Sequence, residues 1–339
     1  MARGSKASAE SVSPSTGDKR KRGSKAEEHD EKSKEEGQEE QSSGAKDDAE
    51  EEEAGDEPKT KAAKTETSSP LDWLLSDDAF NMANPEIPQG HGEVDWADGP
   101  HKNSPPPESA GKGTTDNKES KAQDEILRYP QSALTPFQNL VAACLLSKPF
   151  SHRLGLRTIQ TLLNPPFGIR TVADLDEAGY EGRRKVMWEA RTQHKEKTAA
   201  QLGDLVDGVK ELCGGEGDAD EDLSELKGLK AELEGLEAEA AQGKVKETLT
   251  KIKGIGPGVV GIFLRRIQGD WKEVFPYADD RSLAAAVQFG LLKEGEGAQV
   301  LADQVGSDRA KFVRLLDTLI GLDLEKVLDD AVKKAGADK

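Results

Sequence analysis

Residues 249–266 read LTKIKGIGPGVVGIFLRR. Leu249 and Ile252 close one helix. Gly254, Gly256 and Gly258 then make a tight loop of the kind that tolerates positive φ. Val259 to Arg266 open a second helix that carries Val260, Ile262, Phe263 and the pair Arg265–Arg266. A glycine loop that feeds a helix N-terminus presents free backbone N–H groups and the positive end of the helix dipole, with no side chain in the way. Such a turn holds a phosphate without reading sequence. It also joins two helices, and the chain around it is helical too.

Outward from the loop, the next segment is Val274–Ala286, VFPYADDRSLAAA. Asp279 or Asp280 can cap a helix that starts near Ser282. On the N-terminal side, Phe137, Leu140, Val141, Cys144 and Leu145 fall at i, i+3, i+4, i+7 and i+8, one face of a helix over 136–147. Thr135-Pro136 supplies its cap and its first-turn proline. Further helical stretches are expected at 154–163, 172–178, 183–191, 195–212, 223–241, 282–289, 297–304, 309–320 and 324–334. No alternating β-branched run is bounded by hairpin turns. The expected class is all-α.

The chain divides near residue 125. Residues 1–124 hold 17 Lys+Arg against 30 Asp+Glu, and residues 125–339 hold 30 against 35. The first part lacks apolar periodicity and cannot bury enough surface to offset its ordering entropy, so a disordered acidic tail is expected over 1–124. Two islands interrupt it. Lys19–Lys25, KRKRGSK, is a basic cluster of the nuclear-localisation kind. Pro70–Phe80, PLDWLLSDDAF, is a short apolar cluster with acidic flanks, suited to docking a protein partner. The second part, 215 residues long, is large enough for a full core. An acidic insertion at about 215–243 precedes the hairpin and reads as a solvated helix. Its stretch 215–237 carries nine acids against Lys227 and Lys230. Without it the domain is slightly basic.

No apolar run approaches the roughly 18–20 residues of a membrane span, and no secretory signal is expected from Met1–Glu10. Cys144 and Cys213 are the only cysteines. They cannot form a four-Cys zinc or iron–sulfur site, and they suit a reducing compartment. No cofactor and no metal are expected.

Three blocks in order resemble the helix-hairpin-helix, Gly/Pro-loop, Asp (HhH-GPD) superfamily of DNA base-excision repair glycosylases: Pro136–Ser147, ending in Leu-Ser; Ile252–Gly258, the hairpin; and Val274–Ala286, the segment with the aspartate. His194–Ala200 resembles the family's turn before the helix leading to the hairpin. The resemblance spans most of 126–334. It implies two helical lobes with a cleft between them, and N-glycosidic cleavage of a damaged base flipped from double-stranded DNA. The catalytic carboxylate would be Asp280 or Asp279. Asp280 is favoured, because Leu283 and Val287 follow it three and seven residues later as an inward stripe. The phosphate contacts would come from Lys253, Gly254, Ile255, Gly256, Pro257 and Gly258, with Arg265 and Arg266.

Bifunctional members carry a hairpin lysine where this chain has Gly258, so base removal without strand cleavage is implied. Lys148 or Phe150 stands where many members fill the gap left by the base. Trp188, Tyr277, Phe167, Tyr180 and Trp271 are the aromatic candidates for stacking on it, Tyr277 first. The segment around Asp279 and Asp280 is closest to the alkyl-base branch. A binding-only hairpin protein, in which the aspartate is merely a cap, is the alternative.

Overall fold

The computed structural model describes residues 69–87, 126–213 and 219–337. They all belong to one unit, 64–339. The basic cluster at 19–25 and most of the acidic tail lie outside the described residues. Every regular element described is a helix, and no strand occurs among the described residues. In chain order they are α1 (Pro70–Leu75), α2 (Asp77–Ala83), α3 (Pro136–Leu146), α4 (His152–Leu163), α5 (Val172–Glu177), α6 (Gly179–Glu189), α7 (Lys195–Leu212), α8 (Asp220–Ser224), α9 (Lys227–Ala231), α10 (Ala238–Leu249), α11 (Pro257–Ile267), α12 (Asp280–Gln288), α13 (Ala298–Gln304), α14 (Arg309–Leu324) and α15 (Leu328–Lys334). A single 3-10 turn, Lys272–Val274, lies between α11 and α12.

Two hydrophobic clusters form. The first gathers α3 to α11 and ends at Trp271 and Val274. α3 is its centre and is buried on every side from Pro136 to Leu145, not on one face alone. Its polar members bond to backbone within the core, although the Asn139 Oδ1 is buried without a partner. Gln138 closes a capping box with Thr135 and donates to the Arg170 carbonyl at 3.0 Å, and Asn139 donates to the Leu134 carbonyl at 3.0 Å. The second cluster gathers α12 to α15 together with α1 and α2.

The place of α1 and α2 corrects the expected tail boundary and the docking role given to 70–80. Ser69 and Ser76 cap the two short helices. Leu74, Ala79 and Ala83 are fully buried. The Trp73 ring stacks on Phe289 with centroids 6.2 Å apart. Arg314 of α14 lies 4.4 Å over the Phe80 ring and donates to the Leu75 carbonyl at 3.1 Å. The apolar face that suggested an outside partner is covered within the chain. At Gly321 of α14 an added Cβ would sit 2.5 Å from the Ala83 carbonyl oxygen, so the absence of a side chain there is what lets α2 lie on α14.

The acidic insertion is also corrected. It is not one solvated helix. Leu226 at φ +49° separates α8 from α9, and a turn with Gly235 at φ +77° precedes α10. Leu223, Leu226, Leu229 and Leu233 are buried in the first cluster. Asp220 accepts from the Ala173 N–H at 2.8 Å, at the start of α5. Glu221, Glu232, Glu234 and Glu237 are exposed, while the leucines anchor the segment.

Candidate functional site

A cleft of about 500 Å³ lies where the start of α11, the loop before α12 and the end of α3 meet residues of α14 and the strap formed by α1 and α2. Its lining includes Pro257, Gly258, Tyr277, Asp279, Asp280 and Lys148. These candidates come from three separate stretches of sequence.

The turn between α10 and α11 forms where expected, but only Gly254 of its three glycines takes a positive φ, and Ile252 lies beyond the end of α10. α10 ends at Leu249, and Gly254 takes φ +85°. Gly256 caps α11 with extended backbone, and Pro257 fills the first turn. Ile255 is buried and pins the loop to the first cluster. The glycines serve different needs. At Gly254 an added Cβ would meet the Gln201 side chain at 2.9 Å, on top of the positive φ. At Gly256 and Gly258 an added Cβ would meet nothing within 4 Å. The fold therefore does not require glycine at 256 or 258, and bare backbone faces open space there. Lys253 is exposed, with its ammonium 3.0 Å from Asp204.

Arg265 and Arg266 correct the expectation of phosphate contacts. Both guanidinium groups turn inward from the last turn of α11. Arg265 pairs with Asp279, and Arg266 with Asp317. Arg266 also donates to the Pro130 carbonyl at 3.1 Å and lies 5.3 Å from the Tyr129 ring centroid. With those partners neither charge is presented to a surface ligand.

Asp279 is the N-cap of α12. Its Oδ1 accepts from the Ser282 N–H at 2.9 Å and the Ser282 hydroxyl at 3.1 Å, and its Oδ2 takes the Arg265 guanidinium. Burial pushes its pKa up, but the Arg265 charge and the Ser282 hydrogen bonds outweigh that and hold the carboxyl below its ordinary value. It is an ionised, half-buried carboxylate facing the cleft. Asp280 also lines the cleft but is exposed, as the first residue of α12. The stripe of Leu283 and Val287 expected to face inward is only partly buried, and the buried face of α12 is Ser282, Ala285 and Ala286, of which Ser282 and Ala286 follow Asp279 by three and seven residues.

The loop carrying Tyr277 is fixed by two glutamines that sequence reasoning missed. Gln268 is fully buried. It donates to the Tyr277 carbonyl at 2.9 Å, and its own Oε1 accepts from the Tyr277 N–H at 2.8 Å. Gln242 of α10 donates to the Val274 carbonyl at 2.8 Å and to the Pro276 carbonyl at 3.1 Å. Tyr277 extends over α11, where an added Cβ at Gly261 would sit 3.0 Å from its hydroxyl. No signal in the sequence marks a glutamine as a clamp, because its partners are backbone groups.

Lys148 follows α3 and is half-buried. Its ammonium is bound by the Gln201 amide oxygen, and the Gln201 amide nitrogen donates to the Gly254 carbonyl at 2.6 Å. Burial, aided by the charge of Lys197, lowers its pKa below the ordinary lysine value. His152, at the start of α4, lines the cleft as well, and its Nε2 is enclosed without a hydrogen-bond partner. Burial first, then the Arg265, Arg281 and Arg153 charges, lower its pKa to about 4 against the pull of Glu325. It is neutral at physiological pH.

The remaining aromatic candidates lie away from the cleft lining. Trp188 sits on α6 with the Lys195 ammonium 4.5 Å above its ring. Trp271 is fully buried, edge-on to Phe263. Tyr180 is exposed on α6. Phe167 packs at the edge of the first cluster. Among the described residues no group of three His, Cys, Asp or Glu side chains is placed to hold a metal ion, and no helix is long and apolar enough to cross a membrane.

The arrangement brings the ionised Asp279 carboxylate, the Lys148 amine, the neutral His152 imidazole and the Tyr277 ring to one open cavity, with the start of α11 on its wall. Comparison of the chain with protein families, with characterised proteins and with solved structures gave no match, so the site stands on its own geometry.

Proposed function

We propose that the protein is a DNA glycosylase of the helix-hairpin-helix, Gly/Pro-loop, Asp kind, which removes a damaged base, alkylated in our reading, from duplex DNA without a cofactor. The carrying observation is Asp279: an ionised carboxylate, half-buried, capping α12 on the wall of a cleft whose rim is the glycine hairpin. Two hydrophobic clusters, with residues beside both lining the cleft, support reading the helical domain as two lobes. The open space at Gly256 and Gly258 supports close approach of a phosphate to the N–H groups of α11. As the N-glycosidic bond breaks, positive charge develops on the sugar, and a fixed carboxylate stabilises it without reorganising. The low pKa of Asp279 makes it a weak base and an effective charge. In this scheme it acts mainly by electrostatics, and Asp280 lies outside the reacting centre. Tyr277 is the aromatic neighbour for the extruded base. Gly258 offers no amine, so the hairpin itself does not cleave the strand. The basic cluster at 19–25 would direct the protein to the nucleus.

The ion pair of Asp279 with Arg265 also favours a second reading, a binding-only protein in which the carboxylate is structural. One experiment separates them. The full chain is incubated with duplexes that carry 3-methyladenine, hypoxanthine, uracil or 8-oxoguanine, and abasic sites are scored by alkali cleavage. Asp279→Asn and Asp280→Asn are run alongside. Alkali-dependent breaks that vanish in Asp279→Asn and persist in Asp280→Asn are expected. Intact duplex binding with no product from any lesion would establish the binding-only reading.

A further inference from the structure

A second cavity, of about 460 Å³, lies beside the cleft, between the end of α2, the loop at 128–131 and α4. Asn84 and Tyr129 line both. Four side chains of the second cavity are amides: Asn81, Asn84, Gln131 and Gln160. The Asn81 and Gln160 amides make no hydrogen bond among the described residues. The Asn84 Nδ2 donates to the Phe80 carbonyl at 3.1 Å, and Gln131 reaches the Asn84 carbonyl only at 3.5 Å. Leu156, Ile87 and Tyr129 supply an apolar wall. The two charged members cancel, because Arg128 pairs with Glu86 at 3.0 Å. Neither a phosphate nor an ammonium ion finds an unpaired opposite charge in this lining.

An amide offers a donor and an acceptor side by side. The edge of a nucleobase presents the complementary pair, and an Asn or Gln reads it with two hydrogen bonds. Unpaired amides beside an apolar wall, with no net charge, fit a neutral planar heterocycle. We propose that this cavity binds a free nucleobase, held through the Asn81, Asn84 and Gln160 amides. A sugar would use the amides but not the wall, and an anion would use neither. The ligand class follows from the lining; the source of the base rests on the glycosylase reading. In that reading a base released beside Asp279 passes Asn84 and Tyr129 to reach the second cavity. Held there, it has vacated the cleft without returning to the sugar.

The test titrates the full chain calorimetrically with free adenine, hypoxanthine and 3-methyladenine, and with ribose and inorganic phosphate alongside. Saturable binding of at least one base is expected, with no binding of ribose or phosphate. Asn81→Leu and Gln160→Leu are each expected to weaken it about tenfold, the loss of a hydrogen-bonding amide. Neither amide has a partner to lose in the fold, and far-UV circular dichroism checks both variants. Photolabelling of the wild-type chain with 8-azidoadenine locates the base without any substitution. The label is expected, by peptide mass, within 81–87, 128–131 or 156–160. No binding of any base, ribose or phosphate bound as tightly as the bases, a label outside those segments, or an affinity undiminished in the folded variants would overturn the proposal. Base release from the lesion duplexes is scored separately. Binding without base release would count against the glycosylase reading alone, and base release without binding against this proposal alone.

Discussion

The Arg265 guanidinium, buried at the end of α11, binds the Oδ2 of Asp279, the cap of α12. This pair crosses the cleft wall and joins the first hydrophobic cluster to the second. Its environment is crowded with titratable groups: Tyr129 and Asp317 on one side, Tyr277, Asp280, His152 and Arg281 on the cleft side. Removing one partner strands a charge. Arg265→Gln is expected to destabilise the protein by about 3–5 kcal/mol, the range for a broken buried pair, as read by urea unfolding. The sign with pH follows from the depressed carboxyl. Stability from Asp279 is complete above the ordinary carboxylate pKa, about 4, and is lost as pH falls through its lower folded value. In Arg265→Gln the folded carboxyl pKa rises toward its unfolded value, so the acid-dependent loss of stability from Asp279 should shrink while the acid limb of base release moves to higher pH than in the wild type. Coincident acid limbs would show that the pair does not tune Asp279.

His152 adds to the same loss of stability on acidification. Its folded pKa is about 4, against about 6.5 for a free histidine. The unfolded chain therefore binds more protons between those values, and stability rises with pH across that window and is lost on acidification through it. Replacing it with glutamine, which cannot titrate, should flatten the pH dependence of the unfolding midpoint between pH 4 and 6.5. A slope equal to that of the wild type would place the proton uptake on other groups.

The glycines give a contrast between fold and function. Gly256→Ala and Gly258→Ala meet no neighbour, and should leave the thermal midpoint nearly unchanged while weakening duplex binding and lowering its salt slope. Gly321→Ala brings a methyl against the Ala83 backbone, and should cost about 1–3 kcal/mol by forcing α2 away from α14. If the hairpin variants bind DNA as tightly as the wild type, the backbone at 256–258 is not the phosphate contact.

Much of the helical order was legible because it is local. The apolar periodicity of 195–212 and the Thr135-Pro136 cap are set by neighbours in sequence, and α7 and α3 form where expected. The hairpin was legible for the same reason. What failed was whatever depends on a partner far along the chain. The strap at 70–83 has apolar residues but too few to imply a core, and its partner, α14, is more than 230 residues away. Arg265 and Arg266 read as a basic pair because their acids, Asp279 and Asp317, are not helical neighbours. The candidate site was legible as a set of segments, but which of Asp279 and Asp280 takes the cap was not, because a cap and a first-turn position are indistinguishable by periodicity. The borders of the acidic insertion followed composition, while its buried leucines followed packing.

Gln268 tests whether the loop before α12 must be held for the site to work. Its side chain makes three hydrogen bonds to backbone, two with Tyr277 and one to the Arg265 carbonyl at 2.9 Å. Gln268→Leu keeps the bulk but leaves the Tyr277 N–H and carbonyl unpaired in a buried setting. A loss of about 1–3 kcal/mol is expected for stranding such groups. The stability loss alone would not implicate the site. Because Asp279 follows Tyr277 by two residues, freeing the loop should also move the carboxylate, and a small displacement at a reacting centre costs far more in rate than in binding. Base release measured at saturating lesion duplex should therefore fall well beyond what the folded fraction accounts for, with duplex affinity retained. Gln242→Leu, which frees the Val274 and Pro276 carbonyls on the same loop, should act in the same direction. If both variants lose stability but keep full turnover per folded molecule, the clamp is structural, and Asp279 is held in place by its cap and Arg265 alone.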